Sequence, residues 1–180
     1  MLVTAVVGSP NKGGRTRVAV DAVLRGAEKE GAETEVRELA DGRLDEVVAR
    51  LEPADAVVFA SPTYRADITA GLKALLDTTP RGMTGETSAP LHGKACTVVL
   101  TGASDHHFLA VEKVRGILGG FFAVQLLSPG LYFPRAAFTE NGSALDDQYS
   151  TLAETHGRAL VELTAAVRSS TWLKELRPLV

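Results

Sequence analysis

The sequence predicts a doubly wound α/β fold, in which helices cover both faces of a parallel sheet. Two observations carry this prediction. Apolar, β-branched runs recur five times along the chain, and the segments between them have apolar residues at helical spacing. Strands that alternate with helices form βαβ units, whose strands are parallel. The length of 180 residues and the hydrophobic content of 45% are those of one globular domain, which we expect to span residues 1–180.

Five strands are predicted from the apolar runs. The predicted strands are Leu2–Val7, Thr34–Leu39, Ala54–Ala60, Ala95–Leu100 and Phe121–Leu127. The first, third and fourth are nearly all apolar, as expected of central strands that helices cover on both faces. The second strand alternates polar and apolar residues, which is typical of a half-exposed edge strand. The order 2-1-3-4-5 of a flavodoxin-like five-stranded sheet is therefore predicted.

Helices are predicted where apolar residues recur three and four positions apart. These residues include Val18, Ala22 and Val23 in the first helix, Leu72, Leu75 and Leu76 in the third, Val111, Val114 and Leu118 in the fourth, and Leu152, His156, Ala159, Leu160, Leu163 and Val167 in the last. Two long loops, Arg81–Gly93 and Pro134–Asp147, are predicted from their glycine, proline and polar residues. Loops of about a dozen residues in a compact domain are often functional.

Composition excludes several classes of protein. The net charge is −3 and the basic residues are spread along the chain, so we expect no nucleic-acid binding. No apolar run reaches the length of about 18 residues that a bilayer span needs, so we expect a soluble protein. Cys96 is the single cysteine, which excludes a disulfide framework and favours a reducing cytoplasm. The adjacent His106 and His107 have poor spacing for one zinc ion, and we expect no metal site.

A glycine-rich turn, residues Gly8–Val20, follows the first strand and opens the first helix. Unpaired N–H groups and the helix macrodipole favour an anion at such a position. Ser9, Arg15, Thr16 and Arg17 offer further donors to phosphate oxygens. The turn is therefore predicted to bind a phosphate.

Other phosphate-binding motifs fit this turn poorly. Gly8 and Gly13 have the spacing of a P-loop, but Gly14 stands where the lysine belongs. Pro10 occupies the position of the second glycine in the dinucleotide fingerprint. A monophosphate is the ligand class that remains. The alternative is a glycine-rich turn that binds nothing.

Two further loops follow the third and fourth strands. Ser61–Asp77 contains Tyr64 and Arg65, and Thr101–His107 contains Gly102, which allows backbone to approach a flat ring closely. In a doubly wound sheet these loops and the glycine-rich turn meet at the carboxyl ends of the strands. Together they predict a pocket for a planar heterocycle that carries a phosphate.

The residues of these three loops resemble a known family. They are Gly8-Ser9-Pro10 followed by Arg15-Thr16, then Ser61-Pro62-Thr63-Tyr64 leading into Gly71-Leu72-Lys73-Ala74-Leu75-Leu76-Asp77, and Thr101-Gly102. They are similar to the NAD(P)H-dependent FMN reductases, and most similar to the small FMN reductases of two-component flavin monooxygenase systems. The resemblance covers Leu2 to about Leu127. Asn11 and Gly14 replace an arginine and a serine found in many members, which predicts weaker phosphate binding.

The resemblance implies FMN as the cofactor and a set of residues that bind it. Phosphate-binding residues would be Ser9, Asn11, Arg15, Thr16 and Arg17; Pro62, Thr63, Tyr64 and Arg65 would border the isoalloxazine, and Thr101 and Gly102 would lie in the third contact loop. Hydride would pass from NADPH or NADH to FMN without a catalytic side chain. Backbone donors in Thr63–Arg65 would stabilise the developing charge. Arg65 and Arg15 are candidates for contact with the NADPH 2′-phosphate.

The electrons would then pass to free flavin, a partner flavin-dependent monooxygenase, a quinone or oxygen. A flavodoxin-type electron carrier that does not react directly with NAD(P)H is the alternative, and a cofactor-free interaction module is a third hypothesis. The resemblance also implies a homodimer or homotetramer. The apolar tail formed by Trp172, Leu173, Leu176 and Leu179 either caps the core or packs against another subunit.

Overall fold

Six parallel strands form one sheet in the computed structural model, which describes residues 1–83 and 85–178. The strands are β1 (Leu2–Val7), β2 (Glu33–Glu38), β3 (Ala56–Pro62), β4 (Ala95–Gly102), β5 (Gln125–Leu126) and β6 (Leu131–Pro134). The order β2-β1-β3-β4-β5 confirms the flavodoxin-like prediction, with β6 also pairing with β4. The strand β2 lies at the edge, pairs with β1 and is only partly buried, as its alternating sequence predicts.

Helices cover both faces of the sheet. They are α1 (Arg15–Lys29), α2 (Leu44–Leu51), α3 (Ala70–Thr78), α4 (Ala110–Phe122) and α5 (Asp147–Ser169). Successive residues of a strand point to opposite faces. Val7 therefore packs with α1 and α5, and Val6 packs with α2, α3 and α4. The two apolar layers hold the sheet between them and fix the position of its carboxyl edge.

The fifth strand predicted at Phe121–Leu127 is confirmed only at Gln125–Leu126, because Phe121 and Phe122 belong to α4. Phe122 is buried as the last residue of α4, and the helix ends only where Ala123 takes a left-handed backbone with φ +52°. Two short strands share the place beside β4. The strand β5 pairs with the start of β4, and β6 pairs with its end. Pro129 between them has no N–H to donate to a strand neighbour, so the ladder is interrupted there.

The long loop after β6 has internal structure. A short 3-10 helix, Arg135–Ala137, is followed by an isolated antiparallel bridge between Phe138 and Leu145, both of which are buried. The ring of Phe138 lies edge-on to Phe133 at 6.5 Å between centroids. The loop predicted at Pro134–Asp147 is thus anchored at both ends to the core.

The predicted loop Arg81–Gly93 and the C-terminal tail lie away from the carboxyl edge of the sheet. The described residues of the predicted loop Arg81–Gly93 form no helix or strand, and Thr84 lies outside the described residues. Trp172 is 79% exposed and does not cap the core, while Leu179 lies outside the described residues. None of the helices in the described part of the chain is long and apolar enough to span a bilayer.

The helices α1 and α5 approach each other closely at two glycines. A Cβ at Gly157 of α5 would overlap the carbonyl oxygen of Val23 and lie 2.8 Å from the nitrogen of Ala27. Gly26 of α1 is equally close to the backbone of Glu154. Backbone contacts of this kind cannot give way to a side chain, so the sequence must have glycine at both positions.

We expect Gly157→Ala to lower the free energy of unfolding by about 3 kcal/mol, because the added methyl group forces the two helices apart. The matched control is Gly116→Ala in α4, where a Cβ meets nothing within 4 Å. It should raise the free energy of unfolding by about 0.5–1 kcal/mol, because alanine is the better helix former. Urea denaturation of both variants measures the difference, and equal effects would contradict the packing argument.

Candidate functional site

The carboxyl ends of β1 and β3 are joined by a buried hydrogen-bond network. The N–H of Gly8 donates to the carbonyl of Ala60 at 2.7 Å, and the hydroxyl of Thr69 donates to the carbonyl of Gly8 at 2.6 Å. The same Thr69 hydroxyl accepts from the N–H of Leu72 at 3.2 Å and so caps α3. The N–H of Thr69 donates to the Ser61 hydroxyl at 3.0 Å. The first loop and the start of α3 are therefore fixed to each other.

The carboxyl end of β4 is joined to the same network through Thr101. Its carbonyl accepts from the N–H of Thr63 at 2.6 Å, and its hydroxyl lies 2.8 Å from the hydroxyl of Thr16. Thr16 and Thr101 are both buried, at 3% and 4% exposure, so water does not compete for this bond. The structure thus brings together the three loops that the sequence predicts to meet. We call the bonds of Gly8, Ser61, Thr63, Thr69, Thr16 and Thr101 the edge network.

The glycine-rich loop leaves the N-terminus of α1 open. Gly14 is its N-cap residue and supplies no side-chain cap. The Ser9 hydroxyl donates to the carbonyl of Asn11 at 2.8 Å and accepts from its N–H at 3.2 Å, so it shapes the loop. Arg15 is exposed and forms no ion pair with any residue in the described ranges. An uncapped helix start beside an unpaired guanidinium is suited to an anion.

Arg17 faces away from this open helix start. Its guanidinium bonds the carboxylate of Asp21 at 2.7 Å and that of Glu38 at 3.0 Å, contacts that raise the pKa of Arg17, with the Asp21 hydrogen bond as the largest cause. The other Glu38 oxygen accepts from the N–H of Gly13 at 3.3 Å. Lys12 forms an ion pair with Asp41. Glu38 at the end of β2 and Asp41 just after it thus hold the glycine-rich loop from its outer side.

The loop after β3 begins with a strained hairpin. Tyr64 and Asp67 exchange two backbone hydrogen bonds, of 2.8 and 3.1 Å. The two residues between them, Arg65 and Ala66, have φ of +51° and +62°, the geometry of a type I′ turn. Glycine or asparagine usually occupies such positions, and other residues keep this backbone where the surroundings enforce it.

Lys113 of α4 helps to hold the hairpin in this conformation. Its ammonium donates to the carbonyl of Ala66 at 3.1 Å and to the Asp67 carboxylate at 2.9 Å. The hydrogen bond from Lys113 to the Asp67 carboxylate is the main cause of the lowered pKa of Asp67. A lowered carboxyl pKa stabilises the fold above its unfolded-state pKa, and the contribution is lost as pH falls through the folded pKa. The hairpin is therefore held at neutral pH.

Gly102 packs against an aromatic ring of the protein itself. A Cβ there would overlap the hydroxyl of Tyr132 and lie 2.7 Å from its ring carbon Cζ. The flat ring that approaches Gly102 most closely is thus the protein's own. The Tyr132 hydroxyl donates to the carbonyl of Ser104 at 2.7 Å, and burial raises the pKa of Tyr132, which keeps this donor protonated. The Thr63 hydroxyl is buried beside the Tyr132 hydroxyl, and its interaction with that hydroxyl partly offsets the rise in the pKa of Tyr132.

A groove of about 850 Å³ opens beside these loops. One wall is Gly13, Gly14 and Arg15 at the start of α1. Ala103, just after β4, and residues of the segment from Arg135 to Gly142 complete its lining, and a Cβ at Gly142 would lie 3.3 Å from Cγ of Arg15. A volume of this size is within the usual range for a site that holds an organic ligand. We call this space the α1 groove.

Comparisons with known proteins agree with the geometry. The sequence model of a family described as NADPH-dependent FMN reductase matches residues 1–137. The chain belongs to this family of FMN reductases. Its fold is shared with the solved apo structure of an NADH:FMN oxidoreductase, EMOB, with a TM-score of 0.76 and 21% identity over 97% of this chain and 94% of that one.

Two curated relatives of this FMN reductase family member are similar in sequence. An FMN reductase (NADPH) of Escherichia coli (strain K12) is 32% identical over an alignment of length 123, and the match covers 62% of this chain and 58% of that protein. The iron-sulfur flavoprotein MJ1083 of Methanocaldococcus jannaschii is 31% identical over an alignment of length 98, and the match covers 43% of this chain and 51% of that protein. The chain thus spans a little over half the length of these relatives.

Sequence reasoning missed several residues that shape the site of this family member. Thr69 is recognisable as a helix cap, since a threonine precedes the apolar spacing of α3. Glu38 ends β2 and has no sequence signal for its bond to the glycine-rich loop. Tyr132 and Arg135 lie on and after β6, which was not predicted. The contacts of the predicted residues with FMN stay predictions.

We expect the Thr16 and Thr101 hydroxyls to stabilise the edge network as a pair. Thr16→Val or Thr101→Val alone leaves one buried hydroxyl unpaired and should lower the free energy of unfolding by about 1–3 kcal/mol. The double variant removes both polar groups. It should lower the free energy of unfolding by less than the sum of the losses in the two single variants. Urea denaturation without added flavin measures this double-mutant cycle. Strictly additive losses would show that the two hydroxyls do not interact.

Proposed function

We propose that this protein is an NAD(P)H-dependent flavin reductase that transfers a hydride from NADPH or NADH to FMN. The observation that carries the proposal is the edge network, which joins an anion-suited helix start to the two loops after β3 and β4. FMN has an anionic phosphate at one end and a flat ring at the other, so it needs both features at one edge. Membership of the FMN reductase family supports the same proposal.

The phosphate is proposed to lie at the start of α1. Arg15 supplies a free guanidinium, and the open helix start supplies backbone N–H groups. Ser9, Asn11 and Thr16 complete the proposed set, with the side chains of Ser9 and Thr16 fixing the loop. Arg17 belongs to this set as an indirect contributor, because its bonds to Asp21 and Glu38 hold the loop in place.

The isoalloxazine is proposed to lie between the loops after β3 and β4. FMN supplies the hydride-accepting chemistry when it is bound, and the chain's own residues orient it. Pro62, Thr63, Tyr64 and Arg65 border one side. Thr101 and Gly102 border the other side.

Backbone donors near this ring site are fewer than the sequence predicts. The N–H of Thr63 is bonded to Thr101, and that of Tyr64 is bonded to Asp67. Within the three residues, Arg65 keeps an N–H that forms no hydrogen bond with any described residue. The left-handed turn presents this group, and we propose it as the donor that stabilises charge during hydride transfer.

The route of the electrons after FMN is also a proposal. The 180 residues contain one cysteine, Cys96, which is fully buried in β4 with its thiol pKa raised to about 12 by burial. An iron–sulfur cluster is held by several cysteine thiolates, so this chain lacks the ligand set that the name of one relative implies. We propose free flavin, a partner flavin-dependent monooxygenase, a quinone or oxygen as acceptor.

Assembly and location complete the proposal. Tyr64, Phe108 and Leu109 lie at or near the ring site and are 50%, 56% and 63% exposed. Large apolar side chains grouped in this way are typical of an interface between proteins. We propose a homodimer or homotetramer, with light scattering as its test, and a cytoplasmic location.

Anaerobic mixing with FMN and NADPH tests the proposed reaction. We expect the visible absorbance of oxidised FMN to disappear after mixing, because the nicotinamide reduces the bound flavin directly. A flavodoxin-type carrier would bind FMN and keep the oxidised spectrum. Steady-state rates with FMN, FAD, riboflavin, quinones and azo dyes then rank the acceptors.

The phosphate contacts are tested by comparing FMN with riboflavin, which has the same ring and no phosphate. Arg15→Gln should weaken FMN binding about tenfold and leave riboflavin binding unchanged, because one charge-assisted contact is lost. Arg25→Gln, on the same helix but paired with Glu154, is the matched control. Fluorescence titration gives both dissociation constants. Equal losses for FMN and riboflavin would place Arg15 outside the phosphate site.

A further inference from the structure

We propose that Tyr132 of β6 is a positioning residue for the isoalloxazine, which it orients by holding the loops after β3 and β4 at a fixed distance from each other. This inference rests on the proposed function, which places the flat ring between those two loops. Tyr132 does not itself border the ring in that assignment. It acts through the backbone of Gly102 and Ser104 and through the side chain of Thr63.

The register of β6 on β4 places Tyr132 below the two loops. Tyr132 pairs with Leu100, two residues before β4 ends. Paired residues of a parallel sheet point to the same face, and Leu100 is fully buried in the apolar layer under α2, α3 and α4. The Tyr132 ring packs against the same layer. Its hydroxyl extends from this layer to the carboxyl edge of the sheet, where it reaches Ser104.

The loop after β4 has two contacts with Tyr132. The hydroxyl donates to the carbonyl of Ser104 at 2.7 Å, just beyond the end of β4. A Cβ at Gly102 would overlap the same hydroxyl and lie 2.7 Å from Cζ, so ring and backbone are packed without a gap. Tyr132 thus fixes where the chain goes as it leaves β4.

The rest of the loop after β4 has few contacts of its own. Residues 105–109 are all exposed. Within the described part of the chain, the bond from Tyr132 to Ser104 is the one side-chain hydrogen bond made to residues 102–109. Exposed segments with few contacts open most easily, so this single bond has a large share in holding the loop.

The loop after β3 meets the same hydroxyl through Thr63. The Thr63 hydroxyl is buried beside that of Tyr132 and interacts with it, which partly offsets the rise in the pKa of Tyr132 that burial causes. The N–H of Thr63 is already bonded to the carbonyl of Thr101. Tyr132 adds a side-chain contact between the same two loops. One hydroxyl therefore connects both sides of the proposed ring site.

Fluorescence titration of Tyr132→Phe gives the first test. The variant keeps the ring in the apolar layer and removes the hydroxyl alone. We expect FMN and riboflavin binding to weaken by the same factor, about tenfold, because both flavins have the ring whose site is loosened. Unchanged affinities would overturn the inference. Weaker binding of FMN with unchanged binding of riboflavin would assign the hydroxyl to the phosphate site and would also overturn it.

Tyr149→Phe is the matched control for the loss of a tyrosine hydroxyl. The ring of Tyr149 lies edge-on to Phe133 of β6 at 6.2 Å between centroids. Its hydroxyl forms no hydrogen bond with any residue in the described ranges. This variant should bind both flavins as the wild type does. An equal loss of affinity in Tyr149→Phe and Tyr132→Phe would show that the effect is not specific to the ring site and would overturn the inference.

Single-turnover reduction at saturating FMN gives a second test. We expect NADPH to reduce FMN about tenfold more slowly in Tyr132→Phe than in the wild type, because hydride transfer depends on the exact placement of the ring. Urea denaturation of both proteins measures the purely structural effect. A lower free energy of unfolding with unchanged riboflavin affinity and an unchanged single-turnover rate would overturn the inference.

The outcomes separate this inference from the proposed function. If neither NADPH nor NADH reduces FMN bound to the wild type, the reductase proposal fails, while the flavin titrations still decide whether Tyr132 positions the ring. If the wild type reduces FMN and Tyr132→Phe binds and reduces it equally well, the reductase proposal stands and Tyr132 has no positioning role.

Discussion

The site depends on the hydrogen bonds that join the ends of three neighbouring parallel strands. Parallel strands end at the same edge of a sheet, but their loops have no reason to keep fixed positions unless something bonds them across that edge. Thr69 does this for β1 and β3, because one hydroxyl both caps α3 and donates to Gly8. Thr101 does it for β4 through its carbonyl and its hydroxyl. These groups are buried, so water offers no equivalent partner when a bond is broken.

The two arginines in the first turn of α1, Arg15 and Arg17, differ in their ion pairing within the described part of the chain. The chain has a net charge of −3, and the guanidinium of Arg17 in the first turn of α1 is paired with two carboxylates. Arg17 is close to the helix start in sequence, yet Asp21 and Glu38 hold it. Arg15 two residues earlier points toward the groove and stays unpaired among the described residues. Asp21 and Glu38 therefore pair with Arg17 and leave the positive charge of Arg15 at the anion site.

The sequence predicts the elements whose residues are buried on both faces. It does not predict the elements whose ends depend on the local backbone conformation. Strands β1, β3 and β4 are buried on both faces, so their apolar runs are unambiguous. Phe121 and Phe122 form an equally apolar run, but a helix turn places Phe122 in the core and leaves Phe121 exposed. Periodicity cannot distinguish these two outcomes in a run of two residues.

The missed strand explains most of what the sequence could not show about the site. The strand β6 has four residues and follows a proline, which gives no recognisable pattern. Tyr132 lies on it and fills the space beside Gly102, so the need for glycine there arises from a residue 30 positions away. Arg135 follows it and reaches the groove for the same reason. Residues brought to a site by an unpredicted strand leave no local signal.

The hairpin after β3 shows how such a site keeps its shape at a cost to stability. A left-handed backbone costs roughly 1–2 kcal/mol for each residue that has a Cβ, and Arg65 and Ala66 both adopt it. The two hydrogen bonds of Tyr64 with Asp67 and the ion pair of Asp67 with Lys113 offset that cost. The strain is thus present before any ligand arrives, and binding does not have to order the loop. Because α4 supplies Lys113, the shape of this loop depends on the packing of α4 against the sheet as well as on its own four residues.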